Sequence, residues 1–250
     1  MRKLRAGITA AILIILSALA AYVLNGAPYY STNSSGEYYS FPLPSEAESF
    51  DYSDIEEYSG EPYIEVNGDI PFFISEDITT EAFESYSELD GLGRCGAAVS
   101  CIGKELMPTE DRGPIGMIKP TGWHTVRYSG IDGNYLYNRC HLIGFQLTGE
   151  NANEQNLITG TRYMNIQGML PIENLTASYV RKTGNHVLYR ATPVFIGNEL
   201  LCRGVLLEGY SVEDSGCGLC FCRFVYNVQP DVSINYSDGS SDGPLFDEGG

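Results

Sequence analysis

The stretch Asn138–Asn165, NRCHLIGFQLTGENANEQNLITGTRYMN, decides the reading of the chain. Its opening, Asn138-Arg139-Cys140-His141-Leu142, reads as a strand. In a strand, successive side chains leave on opposite faces, so His141 shares a face with Arg139 while Cys140 packs with Leu142. The ENANEQNLITGT that follows reads as a polar loop, and TRYMNIQGML as a short helical stretch. PIENLTASYVRKTGNH then predicts a helix. Pro171 suits its first turn, Ile172, Leu175, Tyr179 and Val180 make one apolar face, Arg181 and Lys182 fall in its last turn, and Gly184 is positioned to cap it.

Upstream, HTVRYSGIDGNYLYNRCHLIGF reads as two strands around a Gly-Ile-Asp-Gly turn. YIEVNGDIPFF reads as two short strands about a Val-Asn-Gly-Asp turn. ITTEAFESYSELDGLGRCG has helix-permissive spacing, and GPIGMIKPTGW is loop-like. Trp123 and His124 follow a Pro-Thr-Gly turn and read as a packed loop. Downstream, HVLYRATPVFIGNELLCRGVLLEGYSV predicts a hairpin turning at Gly197-Asn198, and LCFCRFVYNVQ a further strand. Strands and helices are grouped rather than strictly alternating, which predicts an α+β fold.

The chain has 250 residues and a net charge of −17. Taken whole, that charge argues against nucleic acid, because phosphate contacts need Lys and Arg. The distribution reverses the argument. No Lys or Arg occurs between Arg5 and Arg94, whereas Arg94 to Arg223 holds 12 basic and 11 acidic residues. MRKLR followed by an uncharged apolar run to Leu24 predicts a signal peptide or N-terminal membrane anchor over 1–24, and an exported chain. Residues 25–60 carry no basic side chain and read as an acidic disordered spacer. The tail 237–250 also reads as disordered, which leaves a domain at 61–236.

Seven cysteines, at 95, 101, 140, 202, 217, 220 and 222, leave at least one unpaired within the chain. Cys217-x-x-Cys220 lacks a second half at zinc spacing, so buried thiols or a disulfide are the better readings. Cys140 and His141 cannot form a nucleophilic dyad, because adjacent strand residues face opposite ways.

A histidine and an arginine on one strand face, followed by a run of amides, suit phosphodiester hydrolysis. Neutral imidazole accepts a proton near neutrality, arginine grips phosphate, and a single amide oxygen can hold Mg2+ when phosphate supplies the remaining charge. These residues resemble the DNA/RNA non-specific endonucleases, the ββα-metal or His-Me finger nucleases, and in particular the DNA-entry type. The family's Asp-Arg-Gly-His stands here as Asn138-Arg139-Cys140-His141. Asn165 matches the metal-carrying Asn, Asn156 a supporting Asn nine positions earlier, and Glu173 a Glu eight positions later. The resemblance covers Pro62 to Tyr236 and is strongest between Asn138 and Arg190.

The resemblance implies a ββα-metal core in which a central antiparallel sheet is flanked by helices. It implies His141, Arg139, Glu173 and Asn156 as the catalytic group, Asn165 as the metal ligand, and Arg139 with Arg162 on the substrate. The residues read alone give Asn156 a loop-bracing role, and the helix start suits Glu173 in any case. The implied activity is Mg2+-dependent cleavage of DNA, and of RNA, with Mn2+ as a substitute ion and 5′-phosphate products. Asn138 and Cys140 depart from the family pattern and keep open a second class, a catalytically weakened surface DNA-binding protein. A secreted nuclease toxin is a third.

Overall fold

The computed structural model describes residues 41, 43–46 and 49–243. The expected leader at 1–24 and spacer residues 25–40 lie outside them. Among the described residues a six-stranded antiparallel sheet dominates. Its strands are β1 (Tyr63–Glu65), β2 (Phe83–Tyr86), β3 (Ala98–Ile102), β6 (Val187–Val194), β7 (Gly204–Ser211) and β8 (Cys220–Tyr226), in the order β1-β8-β7-β6-β3-β2. A separate two-stranded ribbon pairs β4 (Tyr137–His141) with β5 (Leu157–Thr161), setting His141 opposite Leu157. Helix α1 (Phe145–Thr148) lies between them in the chain. A π-helical turn, Met164–Met169, runs directly into α2 (Leu170–Thr183).

The strands send alternate side chains into two cores. Val187, Tyr189, Ala191, Val205, Leu207, Phe221 and Val225 meet the apolar face of α2 (Ile172, Ala177, Tyr179, Val180) and the back of the ribbon (Cys140, Ile158). The intervening residues Leu206, Cys222, Phe224 and Tyr226 point the other way. With both faces covered, β7 is buried at all eight positions.

The cover on that second face corrects the spacer expectation. Phe50, Tyr52, Ile55 and Tyr58 pack on the outward row of β7 and β8, with the Phe50 ring stacked on Phe224 at 6.3 Å and Tyr58 edge-on to Tyr226 at 5.7 Å. Phe41 and Leu43 join the neighbouring cluster. Acidic composition concealed a row of aromatic and aliphatic side chains, and apolar burial rather than mean charge decides whether a segment docks. The domain also runs past Tyr236. β10 (Ser241–Asp242) pairs with β9 (Ser233–Ile234), and the Tyr128 hydroxyl donates to Ser241 Oγ at 2.9 Å, so the part of the tail up to Gly243 is ordered.

Other expectations also differ. Residues 78–96 hold edge strand β2 rather than a helix, since Phe83 and Ser85 pair with Cys101 and Val99. Asn67-Gly68-Asp69 form a left-handed turn, all with positive φ, and no second strand follows. Leu157–Thr161, read as loop, is buried strand β5. Its Gly160 leaves room for the Cys140 thiol, since a Cβ there would lie 2.5 Å from Sγ. β6 and β7 form the expected hairpin, but residues 195–203 join them in place of a tight turn. α2 ends as expected, with Gly184 in the left-handed conformation at φ 80°. All seven cysteines are free thiols.

Candidate active site

A cleft of about 750 Å³ opens where the ribbon, the π turn and the start of α2 meet the long loop before β4. His141, Arg139, Arg162, Asn165 and Glu173 all line it, so the tertiary fold brings together five of the six residues singled out from sequence. Asn156 is the exception. It is wholly buried behind the cleft, where Oδ1 accepts from the Ile143 N–H at 2.9 Å and Nδ2 donates to the Ile143 carbonyl at 3.0 Å. Its expected catalytic place is therefore corrected to a brace. It satisfies both backbone groups of the residue two past His141 and so fixes the path of the chain leaving β4.

His141 is held by its backbone neighbours. Nε2 lies 2.8 Å from the Asn151 carbonyl, and since a carbonyl only accepts, Nε2 carries the proton and Nδ1 the lone pair. Nδ1 faces Arg112 Nη2 at 3.3 Å. Burial pushes the imidazole pKa down. The Asn151 bond opposes that shift and the Arg112 charge adds to it, leaving a value of about 4. At neutral pH the ring is therefore uncharged, with the Nδ1 lone pair turned toward Arg112.

Arg139, on the same strand face, donates through Nε to the Ile118 carbonyl and through Nη2 to the Gly116 carbonyl at 3.0 Å. Its guanidinium lies 3.9 Å from the centre of the Trp123 ring. Partial burial lowers its pKa from the ordinary arginine value. Arg162 reaches the cleft from the end of β5 and is anchored on Asp132 at 2.6 Å.

Asn138 stands where the resembled family has Asp, and it has a defined position. Oriented to suit its neighbours, its oxygen accepts from Asn165 Nδ2 at 3.0 Å and from Arg162 Nη1 at 3.2 Å. Committing the Asn165 NH2 to Asn138 leaves the Asn165 Oδ1 as an acceptor for something else. Asn165 sits in the π turn, whose extra residue per turn shifts its angular position relative to α2. Gly168 lets that turn lie on β8, since a Cβ there would be 2.3 Å from Val225 Cγ1.

Glu173, in the first turn of α2, rests its carboxylate on Gly144, where a Cβ would lie 2.5 Å from Oε2. Burial raises its pKa to about 7, against the lowering effects of the Gln146 amide and Arg112. Asn165 and Glu173 offer an amide oxygen and a carboxylate, the hard donors that Mg2+ takes. Two such donors leave positions for water and phosphate, so the group fits a small divalent cation.

Sequence reasoning missed Arg112. It lies in an aperiodic Gly- and Pro-rich loop, where pattern carries no information about tertiary position. Next to it, at Gly113, the chain lies close on Asn151, since a Cβ would be 2.9 Å from its Nδ2, a contact that only the tertiary structure shows. Trp123, read as loop packing, also lines the cleft.

A β-ribbon followed by a helix and set against an antiparallel sheet is the ββα-metal nuclease fold. The chain belongs to the DNA/RNA non-specific endonuclease family, whose model matches residues 74–212. It is similar to a deoxyribonuclease of Streptococcus dysgalactiae subsp. equisimilis, with 32% identity over 111 residues, 42% of this chain. The match spans 33% of that relative's length. In fold it is similar to NucA from Streptococcus agalactiae, solved with a magnesium ion bound. The TM-score is 0.64 at 22% identity, over 72% of this chain and 85% of that one. It is also similar to the Sda1 nuclease with a bound zinc ion, with a TM-score of 0.54 at 28% identity, over 63% and 79%.

Proposed function

We propose that this protein is an exported, divalent-metal-dependent endonuclease that hydrolyses phosphodiester bonds of DNA, and of RNA, with His141 as general base. The observation that carries the reading is the His141–Asn151 hydrogen bond at 2.8 Å, which places the ring proton on Nε2 and leaves Nδ1 as the acceptor, turned toward Arg112. Family membership and metal-bound neighbours in fold support the reaction class. The basic, apolar opening of the sequence supports export.

In this reading Arg139, Arg112 and Arg162 bind the phosphodiester by its backbone and give little base readout. In the free protein Nδ1 accepts from Arg112, and a phosphate that draws the guanidinium toward itself frees that lone pair for water. His141 then takes a proton from the water as its oxygen bonds to phosphorus. The 3′ oxygen departs with the electrons of the broken P–O bond, leaving a 5′-phosphate. Asn165 and Glu173 would hold a divalent cation, with Mg2+ expected and Mn2+ as a substitute, and when bound it would supply positive charge against the charge developing on the phosphate. Asn138 holds Asn165 in position, and Gly144 provides the space that Glu173 occupies.

The case for a binding-only protein rested on Asn138 and Cys140. Cys140 lies in the core behind the strand and leaves the cleft unchanged, whereas Asn138 lines the cleft and orients two of its residues without the carboxylate of the family's Asp. The test is plasmid nicking by parent and His141→Ala proteins, with and without chelator, and with imidazole added as a replacement base. We expect chelator to abolish nicking and imidazole to restore part of the variant's activity. Equal rates for the two proteins, or full activity in excess chelator, overturn the reading.

A further inference from the structure

The cleft extends well beyond the hydrolytic residues, and its far end has a different chemistry. Tyr135, Tyr137, Arg139 and His141 follow one another at two-residue intervals and all line the cleft, as the face of an extended chain requires. The extension before β4 is held by an antiparallel bridge between Arg127 and Tyr135 and by the Arg162 N–H donating to the Leu136 carbonyl at 2.7 Å. From Tyr135 to His141 such a chain spans about 20 Å, room for more than the scissile phosphate.

Tyr135 is 47% exposed, one of four large apolar side chains so exposed among the described residues. Its ring is backed by the Arg127 guanidinium, 5.3 Å from the centroid. Trp123 and Ile115 add apolar lining. In a chain of net charge −17, the charged side chains lining this cleft are three arginines and one glutamate. An exposed, cation-backed ring in line with phosphate-binding arginines suits a nucleobase released from its stack. Every base has a π face, whereas a base inside a duplex cannot offer it.

We infer that Tyr135, backed by Arg127, is a stacking platform for an unpaired base of the bound strand, so that single-stranded nucleic acid is the favoured substrate of this cleft. The inference rests on the nuclease reading and adds the form of the substrate to it. Its test is the ratio of kcat/KM on a single-stranded oligonucleotide to that on the same sequence as a duplex, for parent, Tyr135→Ala and Tyr135→Phe. Loss of one base–aromatic contact should lower the ratio about 5- to 100-fold in Tyr135→Ala. Tyr135→Phe, which keeps the ring, should hold the parent ratio.

In a His141→Ala background, a 2-aminopurine oligonucleotide should lose fluorescence on binding, and the quenching should disappear when Tyr135→Ala is added. A ratio unmoved by Tyr135→Ala, or quenching that survives it, overturns the platform while the nuclease reading stands. A parent that cleaves neither substrate overturns the nuclease reading itself. In that event, undiminished quenching with Tyr135→Ala also rejects the platform, whereas lost quenching keeps it as a binding site.

Discussion

The Asn151 carbonyl, ten residues along the chain from His141, accepts the Nε2 proton of His141 at 2.8 Å and thereby decides which ring nitrogen is basic. The first prediction concerns what that nitrogen is worth. His141→Ala should lower nicking about 10²–10⁴-fold, the usual contribution of a positioned general base, with nucleic-acid binding nearly unchanged. Gel-shift and nicking assays on the same preparation separate the two effects.

Two histidines should titrate on opposite sides of 6.5. Burial first, then Arg112, takes His141 to about 4. Burial also disfavours the charged form of His186, but bonds to Glu213 at 2.6 Å and Glu105 at 3.1 Å outweigh it and raise its pKa. Between about pH 4 and 6.5 the unfolded chain binds a proton at His141 that the native state does not. Stability therefore falls as pH falls through that window, by about 2–3 kcal/mol by pH 4.5. His186 has the opposite sign. Its contribution is fully present below 6.5 and is lost as pH rises through its raised pKa. Histidine NMR gives both titrations, and urea unfolding at pH 7 and 4.5 should show a smaller acid loss for His141→Gln than for the parent.

Gly144→Ala tests the Glu173 position without touching an ionisable group. The new methyl would lie 2.5 Å from Oε2 and must displace the carboxylate. Cation affinity or activity should fall about 10–100-fold, as when a supporting contact to a metal site is lost. The cation concentration for half-maximal nicking measures it, with circular dichroism checking the fold. Unchanged cation dependence in a folded variant would remove Glu173 from the site.

Cys140 should be a packing residue with no part in the chemistry. It is wholly buried, and burial raises its thiol pKa far above the ordinary value. Cys140→Ala should cost about 1 kcal/mol by leaving a small cavity, with kcat unchanged. Cys140→Gly, which restores the family residue, should cost about a further 0.5–1 kcal/mol through backbone freedom in a strand. Denaturant midpoints beside nicking rates test the separation. A kcat that collapses in folded Cys140→Ala brings the thiol back into the mechanism.

Deleting residues 25–60 should be costly, contrary to what their acidity suggests. Phe50→Ala and Tyr58→Ala should each lose about 1–3 kcal/mol by uncovering Phe224 and Tyr226. A lowered melting temperature with increased dye binding to apolar surface is the expected result. A deletion that leaves the melting temperature unchanged would return this segment to the status of a spacer.

The sequence by itself determined what alternation and end signals encode locally. Arg139 and His141 on one strand face, α2 closing at Gly184, the hairpin β6–β7 and the strand β8 were all legible, because period-two and helix-end preferences depend on nearest neighbours. Asn165 and Glu173 were legible only through the resemblance to a known nuclease family, and the cleft brings them together with His141. Tertiary structure alone decided the rest. Strand β5 looked like a loop because Gly160 and its polar neighbours hide a buried pairing with β4. Residues 49–60 looked like a spacer until the outward row of β8 needed covering. Arg112, 29 positions before His141, entered the site from a loop with no periodicity. Such contacts join residues far apart in sequence, and their energy comes from burial and pairing that exist only once the partner surface has formed.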